Sequence, residues 1–430
     1  MYKVTDLFSG CGGFTLGFTK LGFTVNQAFE IDEMACMTYA KNFGISPICK
    51  DIADVKDSEF KKTDVLIGGF PCQPFSLSGL QEGFGGRSGE GFDQCVRAIK
   101  LTKPTLVILE NVAGFKRLHG GIFHDLALRE IKKLGYYVKS FELNAKDFSV
   151  PQDRTRLFIV ATSNDSEIIE PSPKTKDFIT VKEAINDLVK KDGKDGKYHN
   201  HEPMKHTQRI IERFSKTRPG ESTRQAMDRD PSLGTAKITK QCYRRLFSDK
   251  PSPTLVANFV TTTIHYSEDR NLTAREGARI QSFPDDFIFE GLKTRMSWQK
   301  GLSQFEQIGN AVPPKIAEAL AEMSLKILNK EFSTIVNQPY GQDDLFEDLD
   351  SRYKIIMKKI SEKKKTSGRR GRTSKYQKFY ELVETLPKGG KVELPEGILD
   401  NKIFLDAAMR RRGINWEVLN KDKKLFHKLL

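Results

Sequence analysis

The chain has 430 residues, 38% of them apolar and 10% aromatic, enough for two or three soluble globular domains. Six cysteines (11, 36, 49, 72, 95 and 242) are scattered, with no CxxC pair. This argues against a disulfide framework or a zinc site, and for a reducing, cytoplasmic compartment. No apolar run is long enough to span a membrane, and Met1-Tyr2-Lys3-Val4-Thr5-Asp6-Leu7 carries no basic-then-apolar signal. The net charge of +14 is unevenly placed: residues 351–430 hold 22 Lys and Arg against 9 Asp and Glu, so the rest is nearly balanced. A polyanion could be drawn to that tail by bulk charge, but to the body only by local patches.

In chain order, Lys3 to Phe8 reads as a strand. It runs into Ser9-Gly10-Cys11-Gly12-Gly13 and a helix closed by Gly22. Strand, glycine-rich turn and helix open a nucleotide-binding half-fold, because glycines let backbone N–H groups approach a ligand at a helix N-terminus. The Gly-x-Gly-Gly spacing does not imply a dinucleotide, and a tight turn without a ligand is the bland alternative. A second strand, Val25 to Phe29, ends in Glu30, an acid placed to take two ribose hydroxyls. Asp51-Ile52 ends a third unit, where the acid can accept a bond from an exocyclic amine. Singly, either acid could simply cap a turn.

Asp64 to Ile67 reads as a buried strand leading to Gly68-Gly69-Phe70-Pro71-Cys72-Gln73. That places Cys72 on a turn at the carboxyl end of a strand, where open α/β sheets bind ligands and a thiol can act as a nucleophile. The glycine-rich stretch from Ser76 to Phe92 reads as a lid. Thr105 to Leu109 is a fifth strand delivering Glu110 to the same edge, a candidate general acid with a raised pKa. A core-packing helix over Phe123 to Leu134 is stopped by Gly135. Arg154 and Arg156, two apart before the strand Leu157 to Ala161, would face one way and offer a paired guanidinium surface. From Ser166 to Arg270 there is little periodicity, but Arg209, Arg213, Arg218, Arg224, Arg229, Arg244 and Arg245 suit phosphates and guanine edges. Within it, Phe259 to Ile264 reads as a strand.

Read together, Asp6-Leu7-Phe8-Ser9-Gly10-Cys11-Gly12-Gly13, Pro71-Cys72-Gln73, Glu110-Asn111-Val112, Gln152-x-Arg154-x-Arg156, Arg270 to Glu276 with Gln281-Ser282-Phe283-Pro284, and Gln307 to Pro314 resemble the DNA (cytosine-5) methyltransferases. The resemblance covers about residues 1 to 330. It implies an α/β, Rossmann-like catalytic domain that uses S-adenosylmethionine, a small irregular target-recognition domain and a basic C-terminal extension. The corresponding spans are 1–165 and 291–335 for catalysis, 166–290 for recognition, 336–373 for a charged linker and 374–430 for an accessory module. By the same resemblance, Cys72 attacks cytosine C6, Glu110 bonds N3 and the exocyclic amine, Arg156 supports the base and Arg154 assists. Phe8, Gly10, Cys11, Gly12, Gly13, Glu30, Ile31, Asp51, Ile52, Pro71, Asn310 and Val312 surround the cofactor. The implied partners are double-stranded DNA and, since such enzymes often serve restriction–modification, a cognate endonuclease; a monomer is expected. The rivals are a tRNA cytosine methyltransferase on the same scaffold and a silent member that only binds nucleic acid. Gly91 stands where the family often has a larger apolar residue, which predicts a looser cofactor site or a more mobile loop. In the tail, helically spaced Phe379, Leu382, Val383 and Leu386, then Ile403 to Arg412, suggest a small folded unit.

Overall fold

The computed structural model describes residues 1–71, 91–174, 177–189, 198–234, 243–294, 299–331, 348–356 and 358, and the backbone of three strands between 391 and 428. Cys72, the glycine-rich stretch to Glu90 and the two helices expected in the tail lie outside the described residues. The chain divides into two compact units, Met1–Phe346 and Glu347–Leu430.

The first unit is built on a seven-stranded sheet. Its strands in chain order are β1 (Lys3–Leu7), β2 (Thr24–Glu30), β3 (Ile48–Cys49), β4 (Val65–Gly69), β5 (Leu106–Val112), β6 (Tyr137–Asn144) and, after the two-residue β7 (Gln152–Asp153), β8 (Thr155–Thr162). The spatial order is β3-β2-β1-β4-β5-β8-β6. β1 to β5 run parallel, while β8 is antiparallel to both β5 and β6. The order reverses beside β1, and that switch point opens a crevice at the carboxyl ends of β1, β2, β4 and β5. β6 went unread in the sequence: its buried residues Val138, Phe141 and Leu143 keep a two-residue period only over the last two.

Strands β4 and β5 are continuous apolar runs, as expected of parallel strands covered on both faces. One face is closed by α1 (Gly13–Lys20) and the C-terminal helix of this unit, Pro314–Leu328. These helices cross where Gly17 meets Ala317; a Cβ on Gly17 would collide with the Ala317 backbone. Val4, Phe14, Phe18, Ile67, Ile108, Phe158, Ile316 and Leu320 form the core between.

A second core joins Val181, Ile185, Leu246, Leu255, Phe259, Leu272, Phe283, Phe287, Phe289, Phe305 and Ile308. The helix Val181–Ile185 packs into it, and two further short helices, Gln208–Ser215 and Thr223–Arg229, follow in the same region, where the sequence showed little periodicity. Helices of five to eight residues make about two turns or fewer, so each shows at most a few apolar positions, such as Ile210, Ile211 and Phe214, instead of a sustained pattern. The expected strand over Phe259 to Ile264 is also corrected. Phe259–Thr261 is a 3₁₀ turn, and only Thr263–Ile264 pairs, parallel to Arg244–Arg245. In the second unit, Lys391–Glu393, Leu425–Lys428 and Trp416–Asn420 form a three-stranded antiparallel sheet, with Leu425–Lys428 in the centre.

Candidate active site

The turn after β1 is a strained stretch. Phe8 has φ 56°, Gly10 53° and Gly12 94°. A left-handed phenylalanine costs on the order of 1 kcal/mol or more and persists only where its surroundings enforce it. The three glycines are small for different reasons. A Cβ on Gly12 would strike the Phe43 ring, and one on Gly13 would strike the Val312 carbonyl, with Ala311 and Phe283 at 3.1 Å. A Cβ on Gly10 would meet nothing within 4 Å. Gly12 and Gly13 are therefore glycine because protein fills their side-chain space, whereas Gly10 borders open space. The Val312 contact is how the far end of the chain reaches the first turn.

Glu30 ends β2 and is bound almost wholly by main chain. One carboxylate oxygen accepts from Gly10 N (2.8 Å), and the other from Ile31 N and Asp32 N (both 2.9 Å). Burial nevertheless holds its pKa above the ordinary carboxylate value, against those donors. Next to it, Ile31 is 65% exposed, an apolar side chain left at the crevice. Asp51 is exposed, and one of its oxygens caps a 3₁₀ turn through Ala53 N, leaving the other free among the described residues. Ile52 behind it is buried. Cys11 is buried, its thiol directed at the Gln307 carbonyl (3.6 Å) and its pKa pushed up to about 12 by burial. Its side chain is core; only its backbone is available to a ligand. Asn310 is exposed at the end of the helix Gln304–Asn310, and Val312 is nearly buried.

Glu110 lies in register with Gly69, at the end of the strand next to the one that leads to Cys72. A Cβ on Gly69 would stand 3.3 Å from the Glu110 carboxylate, so glycine there keeps space for the acid. Arg156 Nε pairs with Glu110 Oε1 at 3.0 Å, both side chains 13% exposed. Burial raises the Glu110 pKa, opposed first by Arg156 and then by Arg154. The arrangement is a buried acid with a raised pKa, at the crevice and steadied by one guanidinium.

Arg154 departs from the expected paired surface. It is buried and donates to the carbonyls of Leu255 (2.9 Å), Gly309 (2.9 Å) and Ala311 (3.3 Å). Its charge is felt at Glu110, but its hydrogen bonds tie distant segments together. The entirely buried Gln152 and Gln281 do the same: they bond each other, and Gln281 donates to Ile308 O and Ala311 O.

Two residues were passed over in the sequence. Asn111 is buried and donates to Phe70 O at 3.0 Å, fixing the turn that leads to Pro71 and Cys72 against the Glu110 strand. Its signal was its place beside Glu110. Asp6 is buried under the glycine turn, accepts from Thr15 Oγ1 at 2.6 Å, and is pushed up to about 7 by burial. Gly91 also proves different from expectation. A Cβ there would collide with the Pro71 ring, so Pro71 fills the space that a larger side chain would take.

The sequence matches the C-5 cytosine-specific DNA methylase family over residues 2–326. It is 38% identical to the Type II methyltransferase M.DdeI of Desulfomicrobium norvegicum, over 74% of this chain and 88% of that one. It is 37% identical to M1.HphI of Haemophilus parahaemolyticus, over 76% and 87%. The fold is shared with a prophage-encoded DNA modification methyltransferase structure from Escherichia coli (TM-score 0.59, 25% identity, 76% of this chain and 100% of that one). It is also shared with Schizosaccharomyces pombe Dnmt2 (TM-score 0.52, 17% identity, 76% and 99%).

Proposed function

The chain belongs to the C-5 cytosine-specific DNA methylase family, and from that premise we propose how its own residues carry out the reaction. The substrate is a cytosine flipped out of a specific duplex DNA sequence, because its ring atoms cannot be reached within the stack. The observation that carries this reading is the buried Glu110–Arg156 pair, one strand from the Pro71 turn.

Cytosine C5 is a poor nucleophile. In the proposed reaction the Cys72 thiolate adds to C6 while Glu110 holds a proton at N3, which makes C5 enamine-like. Loss of the C5 proton and expulsion of the Cys72 sulfur then restore the aromatic ring. Arg156 orients Glu110. Asn111 fixes the turn before Cys72, and Arg154 holds the framework behind it.

The crevice fits S-adenosylmethionine. Gly10 borders open space, Glu30 retains acceptor capacity for two hydroxyls, Asp51 has a free oxygen, and Phe8 and Ile31 offer apolar faces. Gly12, Gly13, Ile52, Pro71, Asn310 and Val312 complete the surround, and Cys11 contributes main chain only. When bound, the cofactor supplies an electrophilic methyl group that C5 takes. The names of the curated relatives favour DNA over the tRNA alternative and support a place in restriction–modification beside a cognate endonuclease. No helix among the described residues is long and apolar enough to cross a membrane, which fits the proposed cytoplasmic setting.

The test is incubation of mixed-sequence genomic DNA with the enzyme and S-adenosylmethionine, followed by bisulfite sequencing. 5-Methylcytosine confined to one short motif is expected; its absence from DNA, with methyl transfer to small RNAs instead, would overturn the reading. Cys72→Ala should abolish transfer and leave cofactor binding intact. Methylation by that variant at the wild-type rate would exclude the covalent route.

A further inference from the structure

Seven arginines of the presumed recognition region were equal candidates for DNA contact in the sequence. The structure separates them. Arg245 is buried and donates to the carbonyls of Phe214, Thr217, His265 and Glu268 and to Asp269. Arg224 pairs with Asp228, Arg229 with Glu221, and Arg244 donates to Gly220 O. These four are bound to the protein itself, and the exposed Arg218 bonds Glu221 through its backbone N–H.

Arg209 and Arg213 are different. They lie one turn apart on the helix Gln208–Ser215, whose buried Phe214 is anchored by Arg245. Both guanidinium groups converge on Gly234. A Cβ there would collide with the Arg209 guanidinium and lie 3.2 Å from Arg213 Nη2. Gly234 sits at φ 94°, a conformation that L side chains rarely adopt. Arg213 uses its Nε on Leu233 O (3.0 Å), which fixes the fork and leaves its other donors outward. Among the described residues neither arginine has an ion pair. Glu212 on the same helix is not bonded to either, and Asp230 nearby accepts from Ser232 instead.

Two like charges held this close, with no counter-ion among the described residues, are unfavourable unless an anion completes them. Planar guanidinium forks match phosphate oxygens in geometry as well as charge. Resting on the DNA reading above, we propose that Arg209 and Arg213, converging over Gly234, form a clamp for a phosphodiester of the duplex backbone. The clamp sets the register of the recognition region on DNA and reads no base itself.

The experiment measures duplex binding by the full-length enzyme, using fluorescence anisotropy from about 50 to 200 mM salt. One duplex carries the motif found by bisulfite mapping and the other is scrambled. Arg209 is exposed and has no protein partner to lose, so Arg209→Ala should fold as wild type. It should weaken both duplexes by the same factor and lower the slope of log K against log salt by about one unit. Arg209→Lys, which keeps the charge, should recover most of that slope. An unchanged affinity and slope would overturn the clamp, and so would a loss confined to the motif duplex, which would make Arg209 a base reader. Wild-type enzyme that binds duplexes but transfers no methyl group would sink the catalytic reading and leave the clamp standing.

Discussion

The two halves of the crevice hold their acids in opposite ways. Glu30, on the proposed cofactor side, is gripped by three backbone N–H groups that no side-chain motion can withdraw. Glu110, on the proposed base side, is held by one side chain, Arg156, and otherwise faces the crevice. Burial raises the pKa of both. The first is built as a permanent acceptor. The second can gain and lose a proton, because its partner is a side chain and not main-chain N–H groups. A group that must bind the same hydroxyls in every cycle suits main-chain donors, and one that must share a proton suits a side-chain partner.

The sharpest way to break this contrast is Glu110→Gln. The amide keeps the shape and cannot deliver a proton, so kcat should fall by about 10² to 10⁴ while cofactor affinity stays level. Single-turnover methylation read beside calorimetric cofactor titration would check it. A parallel loss of cofactor affinity would mean that the two halves are not separable. Arg156→Met removes the first influence that lowers the Glu110 pKa, so the pH–rate profile should move to higher pH.

The neighbouring arginine supplies the control. Arg154→Met removes the guanidinium donor from the carbonyls of Leu255 and Gly309, while Ala311 O keeps Gln281, and should cost about 3 kcal/mol of stability. Urea denaturation should register the loss, and the pH profile of the surviving fraction should move to higher pH by less than with Arg156→Met, because Arg154 is the weaker of the two influences on Glu110. A shift as large as that of Arg156→Met at undiminished stability would place Arg154 with Glu110 instead of with the framework.

That pair also marks where sequence reading stops. The Gln152-x-Arg154-x-Arg156 spacing was legible, and so were Glu30, Glu110 and the parallel strands, because each sits within a few residues of the pattern that betrays it. What Arg154 bonds was not legible: its acceptors at 255, 309 and 311 are about a hundred or more residues away and are main-chain atoms with no sequence signature. Gly91 fails for the same reason, since the atom that excludes its side chain belongs to Pro71. The short helices of the recognition region depend on packing, and each is too brief to give a sustained period.

Asp6 extends the contrast beneath the glycine turn. Burial lifts it from an ordinary 3.8 to about 7, against the Thr15 hydrogen bond. The folded state therefore holds a proton that the unfolded chain releases, and stability is lost as pH rises from about 4 through about 7. Asp6→Asn cannot ionise. Between pH 5 and 7 the wild type should lose about 2–3 kcal/mol relative to this variant. Parallel stability curves across that window would mean that Asp6 ionises at its ordinary value.

The smallest effect is expected at Glu30, where the main-chain grip should tolerate much but not all. Glu30→Gln replaces one acceptor oxygen with an amide NH₂. Whichever way the amide turns, that NH₂ faces either Gly10 N or the N–H groups of Ile31 and Asp32. Leaving a donor unpaired there costs about 1–3 kcal/mol, and one ribose acceptor goes with it. Cofactor Kd should rise about tenfold, with the single-turnover rate at saturating cofactor nearly unchanged. A slowed chemical step at saturation would show that Glu30 also positions the reacting groups. The two acids would then form one device divided between two strands.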